Sequence, residues 1–207
     1  MGRQTFSPAL FSIILKNMSE EKKNTGAANP ALDDKLMKTR SVMLTGEITK
    51  ESADQVVRQL LVLDSESDEP ITVYINSPGG DVDAGFAIYD MVRFISAPVT
   101  MVGIGLVASA ASLVLLAVPA ERRVGFANSS YLIHQPLSKM QGVAADVLIH
   151  ASVIERLRAK LDGIIAEATG KSAAEVSADT ERDHWLFADE ALSYGLISRI
   201  VKSKSEL

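Results

Sequence analysis

The sequence contains no cysteine, and aromatic residues make up only 5% of it. The first absence excludes disulfides, thiol nucleophiles and Cys-ligated metals, and fits a reducing compartment such as the cytoplasm. The second means that burial must rest on Val, Ile, Leu, Met and Ala. The basic residues are dispersed. The net charge is −5, and no Lys/Arg stripe is interleaved with aromatics, so the footprint of a nucleic-acid binder is missing. The three histidines, His134, His150 and His184, show neither HExxH nor any other metal-ligand spacing. No metal or cofactor is expected.

Long apolar runs are also scarce. Residues 6–18 (FSPALFSIILKNM) are interrupted by Pro8 and Lys16, and no small-x-small cleavage site follows. This run reads either as a signal peptide or as a short targeting, processed or docking segment. Residues 99–118 carry no charge, and length alone permits a membrane-spanning helix. Gly103, Gly105, Ser109 and Ser112 break that run. Its neighbours alternate between strand and amphipathic-helix patterns, so a buried strand leading into a buried helix is expected, with no membrane partner.

What is present fits one globular domain: 207 residues, 47% of them apolar and 23% charged. Residues 1–38 are polar and rich in small side chains towards their end, and read as a flexible extension or propeptide. The folded domain is expected over 39–207. SVMLT (41–45) reads as a strand, and Thr49 as the cap of a helix whose face carries Ala53, Val56, Leu60 and Leu63. ITVYI (71–75) reads as a buried strand ending in the turn NSPGGD (76–81). A helix bearing Ala84, Ile88 and Val92 follows, then a strand at 99–102, a flexible glycine turn at 103–108 and a helix from Ser109. The β-α-β-α-β-α order with short connections favours parallel strands. Further on come a strand at 131–133, a long helix over about 143–168, a capping box SAAE (172–175), a short helix at 188–194 capped by Gly195, and a strand at 197–201. The long helix would extend near 38 Å, more than a small domain needs, so part of it should project onto a partner subunit.

Four features could carry chemistry. Ser109 follows a strand and opens an apolar helix, where free N–H groups suit a nucleophile that generates an oxyanion; a serine there is also an ordinary helix cap. NSPGGD lets a backbone approach a ligand at the C-terminal end of a strand, or simply turns the chain. It lacks the Walker lysine and hydroxyl, so it is no phosphate loop. His134, in IHQP (133–136), ends a strand of the same sheet and has the pKa range of a general base; it could equally be a hydrogen-bonded edge histidine. Asp179, Glu181 and Asp183 could each orient a histidine or be solvated, and residue chemistry does not choose among them.

Together these segments resemble the proteolytic subunit of the Clp protease family. The resemblance rests on YINSPGG (74–80) with AGFAIYD (84–90), GLVASAASLVLLA (105–117), IHQP (133–136) and DTERDHWLFADEALSYGLI (179–197), in that order, within about 38–201. It implies an α/β protein of ClpP/crotonase-like fold, built from repeated β-β-α and βαβ units with a projecting handle over about 135–168. It implies a serine endopeptidase with Ser109 as nucleophile, His134 as base and Asp183 as its orienting acid. The backbone N–H groups of Gly80 and Ala110 would form the oxyanion hole. The Ser…His…Asp chain order differs from those of α/β-hydrolases, chymotrypsin and subtilisin. The resemblance further implies heptameric rings stacked as a tetradecamer, with Gln135, Glu181 and Arg182 contributing ring-to-ring contacts. A ring-shaped AAA+ unfoldase would thread in unfolded protein, so that ATP is used only by the partner.

The chain departs from the family pattern in three places. Ala110 stands where Met usually follows the serine, which alters a wall of the substrate pocket. Val118-Pro119 replaces a common glycine. The usual axial-loop segment before the first strand is not found, which points to a divergent second paralogue working in a mixed ring. Competing expectations are an acyl-CoA enzyme of the crotonase fold, a non-catalytic ring subunit, and a membrane-associated peptidase with a Ser-Lys dyad. The last would need a lysine soon after Ser109, and none occurs before Lys139.

Overall fold

The computed structural model describes residues 30–207. The chain divides into a unit of residues 1–36 and a unit of residues 37–207. Helix α1 is Pro30–Lys38, within the stretch expected to be a tail. Pro30 suits a first helical position, because its φ is preset and its missing N–H would have had no intrahelical partner. Asp33 lies in the first turn, at the positive end of the helix dipole. The rest of the expected extension, including the apolar run at 6–18, lies outside the described residues.

The larger unit is built on a seven-stranded sheet. Its main path runs β1 (Ser41–Thr45), β2 (Ile71–Ser77), β3 (Val99–Ala108), β4 (Arg123–Phe126), β7 (Arg199–Val201), all parallel. β5 (Ser130–Ile133) pairs in parallel with the far end of β3, and β6 (His184–Phe187) pairs antiparallel with β5. The helices are α2 (Lys50–Glu66), α3 (Val82–Phe94), α4 (Ala110–Leu115), α5 (Ala144–Thr169), α6 (Ala173–Asp179) and α7 (Ala188–Tyr194).

Alternation sets the core. Ile71, Val73 and Ile75 of β2 are fully buried, and Ala53, Val56, Leu60 and Leu63 form the buried face of α2. Each Leu, Ile or Val of this kind contributes about 1.5–3 kcal/mol. Thr49 starts α2 through a capping box with Ser52, one hydroxyl exchanging with the other's N–H. Arg40 closes the far end of α2 by donating to the carbonyls of Leu63, Ser67 and Glu69. The buried Arg123 does the same for α5 and α7, donating to Ala168 O at 2.7 Å and Gly195 O at 3.2 Å.

The flexible turn expected at 103–108 is instead strand. β3 runs unbroken for ten residues, but its register slips: Ile75 faces Gly103 while Ser77 faces Val107. Gly105, with φ +59°, takes up the extra length. Asn76 Oδ1 accepts from Leu106 N at 3.1 Å, and a Cβ on Gly105 would come within 2.8 Å of that oxygen. Glycine serves a bulge as readily as a turn, which is why the sequence misleads here. The bulge divides β3 between two partners, with β4 alongside 101–103 and β5 alongside 106–108. β4 and β6 went unrecognised in the sequence because each has only four residues and no sustained alternation. The closing strand is shorter than expected, starting at Arg199.

The uncharged run at 99–118 becomes β3 and the six-residue α4, every residue of which is buried. No helix among the described residues is long and apolar enough to cross a membrane. α5 has 26 residues, about 39 Å of helix. Its buried positions, Asp162 and Ile165, lie in its second half. The first half exposes Val147, Leu148, Ile149 and Val153.

Candidate active site

Ser109 occupies the junction of β3 and α4 at φ 57°, ψ −121°. A capping serine adopts extended backbone angles and accepts from the N–H of the second or third helical residue. Ser109 does neither: it makes no side-chain cap hydrogen bond. Its Oγ lies 2.7 Å from His134 Nε2. The positive φ of a residue with a side chain costs about 1–3 kcal/mol and needs surrounding structure to hold it. Here Ser109 N donates to Leu132 O at 2.9 Å, and Ser109 O accepts from the N–H groups of Ser112 and Leu113. Ser112 adds hydrogen bonds from its buried hydroxyl to Val107 O at 3.0 Å and Leu132 O at 2.8 Å. Nothing in the sequence distinguishes Ser112 from a helix-face serine.

Strand register explains how the histidine meets its acid. In the antiparallel β5–β6 pair, Ile133 faces His184. The next residues outward are His134 and Asp183, which therefore stand side by side. His134 Nδ1 lies 3.3 Å from Asp183 Oδ1, with the histidine side chain 12% exposed and the aspartate 63%. The other acids left open by the sequence are engaged elsewhere. Asp179 accepts from Tyr194 Oη at 2.8 Å and lies 3.8 Å from His184 Nδ1. Glu181 pairs with Arg158 at 2.6 Å, a contact that holds the guanidinium pKa above the usual arginine value. His150, on α5, meets Ser138 Oγ at 2.6 Å and does not engage Ser109.

The glycine turn lies against the serine. A Cβ on Gly79, at φ +87°, would come within 2.5 Å of Ala108 O, 2.8 Å of Ser109 Cβ and 2.9 Å of Ala110 N. Only glycine allows that approach. Ile48 N donates to Gly79 O and Asp81 N donates to Ile48 O, both at 2.8 Å, which fixes the Gly79–Gly80 peptide. Among the described residues, no hydrogen bond engages the N–H of Gly80 or of Ala110. α4 has six residues, so any oxyanion stabilisation rests on such individual N–H groups more than on a long helix dipole.

A narrow apolar cavity of about 30 Å³ opens beside Ser109 and His134, lined by Val82, Leu113, Ile133, Pro136, Leu161 and Ile165 together with Ala110. A wider one, about 370 Å³, is lined by His134 together with Gln135, Leu137, Glu181, Arg182 and Asp183. Gln135 N donates to Thr180 O, and its Nε2 to Glu181 O, each at 2.7 Å. Gln135 and Glu181 therefore already have partners within the subunit, whereas Arg182 makes no ion pair among the described residues. No group of three or more His, Cys, Asp or Glu that could hold a metal occurs among the described residues.

Comparison with known proteins places this geometry in context. The family model described as Clp protease matches residues 24–204. The chain is 53% identical over 195 residues to the ATP-dependent Clp protease proteolytic subunit 2 of Treponema denticola, covering 94% of this chain and 98% of the relative. It is 44% identical to the protein of the same name in Pseudomonas aeruginosa, covering 88% and 90%. Among solved structures, a point mutant of ClpP1 from Listeria monocytogenes superposes with a TM-score of 0.79 at 44% identity, covering 84% of this chain and 98% of that one.

Proposed function

The chain belongs to the Clp protease family and is a peptidase subunit of a Clp protease; from that premise we propose that it is a serine-type endopeptidase working through Ser109, His134 and Asp183. The carrying observation is the strained, non-capping Ser109 with its Oγ at 2.7 Å from His134 Nε2 while Asp183 holds the other ring nitrogen. In this reading Ser109 Oγ attacks the peptide carbonyl as His134 Nε2 takes its proton. Negative charge then develops on the carbonyl oxygen, towards the N–H groups of Gly80 and Ala110. His134 returns the proton to the leaving amine, and water repeats the cycle on the acyl-enzyme. Asp183 keeps Nδ1 protonated and stabilises the imidazolium. No step calls for a metal or cofactor. The apolar cavity beside Ser109 favours an apolar side chain on the residue preceding the cut.

The subunit associates with copies of itself and serves a Clp ATPase, which alone consumes ATP. The exposed apolar residues of the handle, from Leu137 and Val143 through Leu148 and Val153, support self-association. Stacked heptameric rings acting on unfolded chains in the cytoplasm, and a mixed ring with a second paralogue, extend the same reading. Several relatives are themselves named as a numbered subunit, which supports the paralogue. No observation favours an acyl-CoA substrate or a purely structural ring subunit.

The test is labelling with a fluorophosphonate probe. The assembled wild type is expected to label and Ser109→Ala not to. Asp183→Asn should keep its fold and assembly while kcat falls by about three to four orders of magnitude. A wild-type assembly that does not label would overturn the serine-peptidase reading.

A further inference from the structure

Asp183 stands in a short exposed turn between α6 and β6, so burial does not fix it in place. Its distance of 3.3 Å from His134 Nδ1 is longer than a tight charge-assisted hydrogen bond. Something else has to hold the turn against the histidine strand. One guanidinium touches both sides of that junction. Arg158, on the second half of α5, donates from Nη2 to Glu181 Oε2 at 2.6 Å and to Ser177 O at 3.2 Å. Its Nη1 donates to Gln135 Oε1 at 3.3 Å. Gln135 directly follows His134, and Glu181 precedes Asp183 by two residues. Gln135 closes the loop by donating from its backbone N to Thr180 O and from Nε2 to Glu181 O, each at 2.7 Å. Asp162, one helical turn beyond Arg158, lies 3.8 Å from Arg158 Nε and accepts from the buried Thr180 hydroxyl at 2.8 Å.

We propose that Arg158 is a positioning residue, tying the Asp183 turn and the His134 strand to the handle helix so that carboxylate and imidazole meet. The inference rests on the triad reading above. A planar fork is required, since three acceptors in different directions are reached from one side chain. Lysine supplies the charge at a single point and cannot span them. The arrangement also couples α5 to the site, because a shift of the helix moves Glu181 and Gln135 together. Arg158 touches neither substrate nor the reacting atoms, so its loss should act on kcat and not on KM. A misplacement of about 1 Å from outside the chemistry is enough to cost up to roughly a hundredfold.

The experiment measures fluorophosphonate labelling rate and peptidase kcat and KM on assembled Arg158→Gln, Arg158→Lys, Glu181→Gln and the double variant Arg158→Gln/Glu181→Gln. Arg158→Gln is expected to label roughly ten- to a hundredfold more slowly with KM unchanged. Arg158→Lys should recover part of the loss, and the double variant should be no worse than Arg158→Gln. Arg158→Gln labelling at the wild-type rate would overturn the proposal. If that variant does not assemble, Glu181→Gln keeps the guanidinium beside Asp162 and is read instead, and its labelling at the wild-type rate would overturn the proposal equally. A wild type that fails to label strikes the triad reading itself, a result distinct from normal labelling in the variants.

Discussion

The Ser112 hydroxyl donates to the carbonyl of Leu132 at 2.8 Å, the same carbonyl that accepts from Ser109 N. One oxygen of β5 thus holds both the first turn of α4 and the strained residue before it. Two positions further along the chain comes His134. Ser109 and His134 are registered against each other by this backbone contact before their side chains meet.

Replacing Ser112 with Ala removes a buried donor and leaves the Leu132 carbonyl with its Ser109 partner. The expected loss of stability is about 1 kcal/mol, read from denaturant midpoints at constant slope. Labelling of Ser109 should also slow, because the positive φ loses one of its supports. Unchanged labelling would mean that the other hydrogen bonds suffice.

The cavity beside Ser109 is apolar and is walled in part by Ala110. Peptides with an apolar residue before the scissile bond should be cleaved with at least about tenfold higher kcat/KM than those with a charged residue there, because a buried charge without a partner is costly. Ala110→Met fills part of the cavity and should shift preference to smaller side chains. A panel of fluorogenic peptides decides both points.

In the first half of α5, Leu148 is 72% exposed and Val153 52%. Apolar side chains so exposed on one stretch of a helix favour a partner surface. Leu148→Asp and Val153→Asp should reduce the sedimenting species to a smaller assembly without changing the far-ultraviolet circular dichroism of the subunit. Assembly that survives both changes would place the contact elsewhere.

Tyr194 carries the clearest pH signature. Burial, reinforced by its hydrogen bond to Asp179, pushes the phenol well above the ordinary tyrosine range. The folded pKa is raised, so this stabilisation is fully present below the unfolded value near pH 10 and is lost as pH rises towards the folded value. Tyrosinate absorbance should show Tyr194 and Tyr131, whose phenol burial also pushes up, ionising only with unfolding. Tyr194→Phe should flatten the alkaline side of the stability profile.

Helices with a full apolar face or a cap, such as α2 with Thr49 and α7 with Gly195, are legible before folding, because their signals are local and periodic. The sequence also marked Ser109 and His134 as chemically able, since a serine and a histidine at strand ends need no distant partner to be noticed. Residue chemistry leaves three acids open and the family resemblance points to Asp183; folding supplies the physical reason, because the β5–β6 register sets Asp183 beside His134 while Tyr194 and Arg158 occupy Asp179 and Glu181. The bulge at Gly105 was invisible in the sequence, because glycine permits turn and bulge alike and only the pairing of β3 with two different neighbours selects one. Arg158 lay unmarked among the charges of a long helix, and its three acceptors come together only when α5 packs against the turn that carries Asp183.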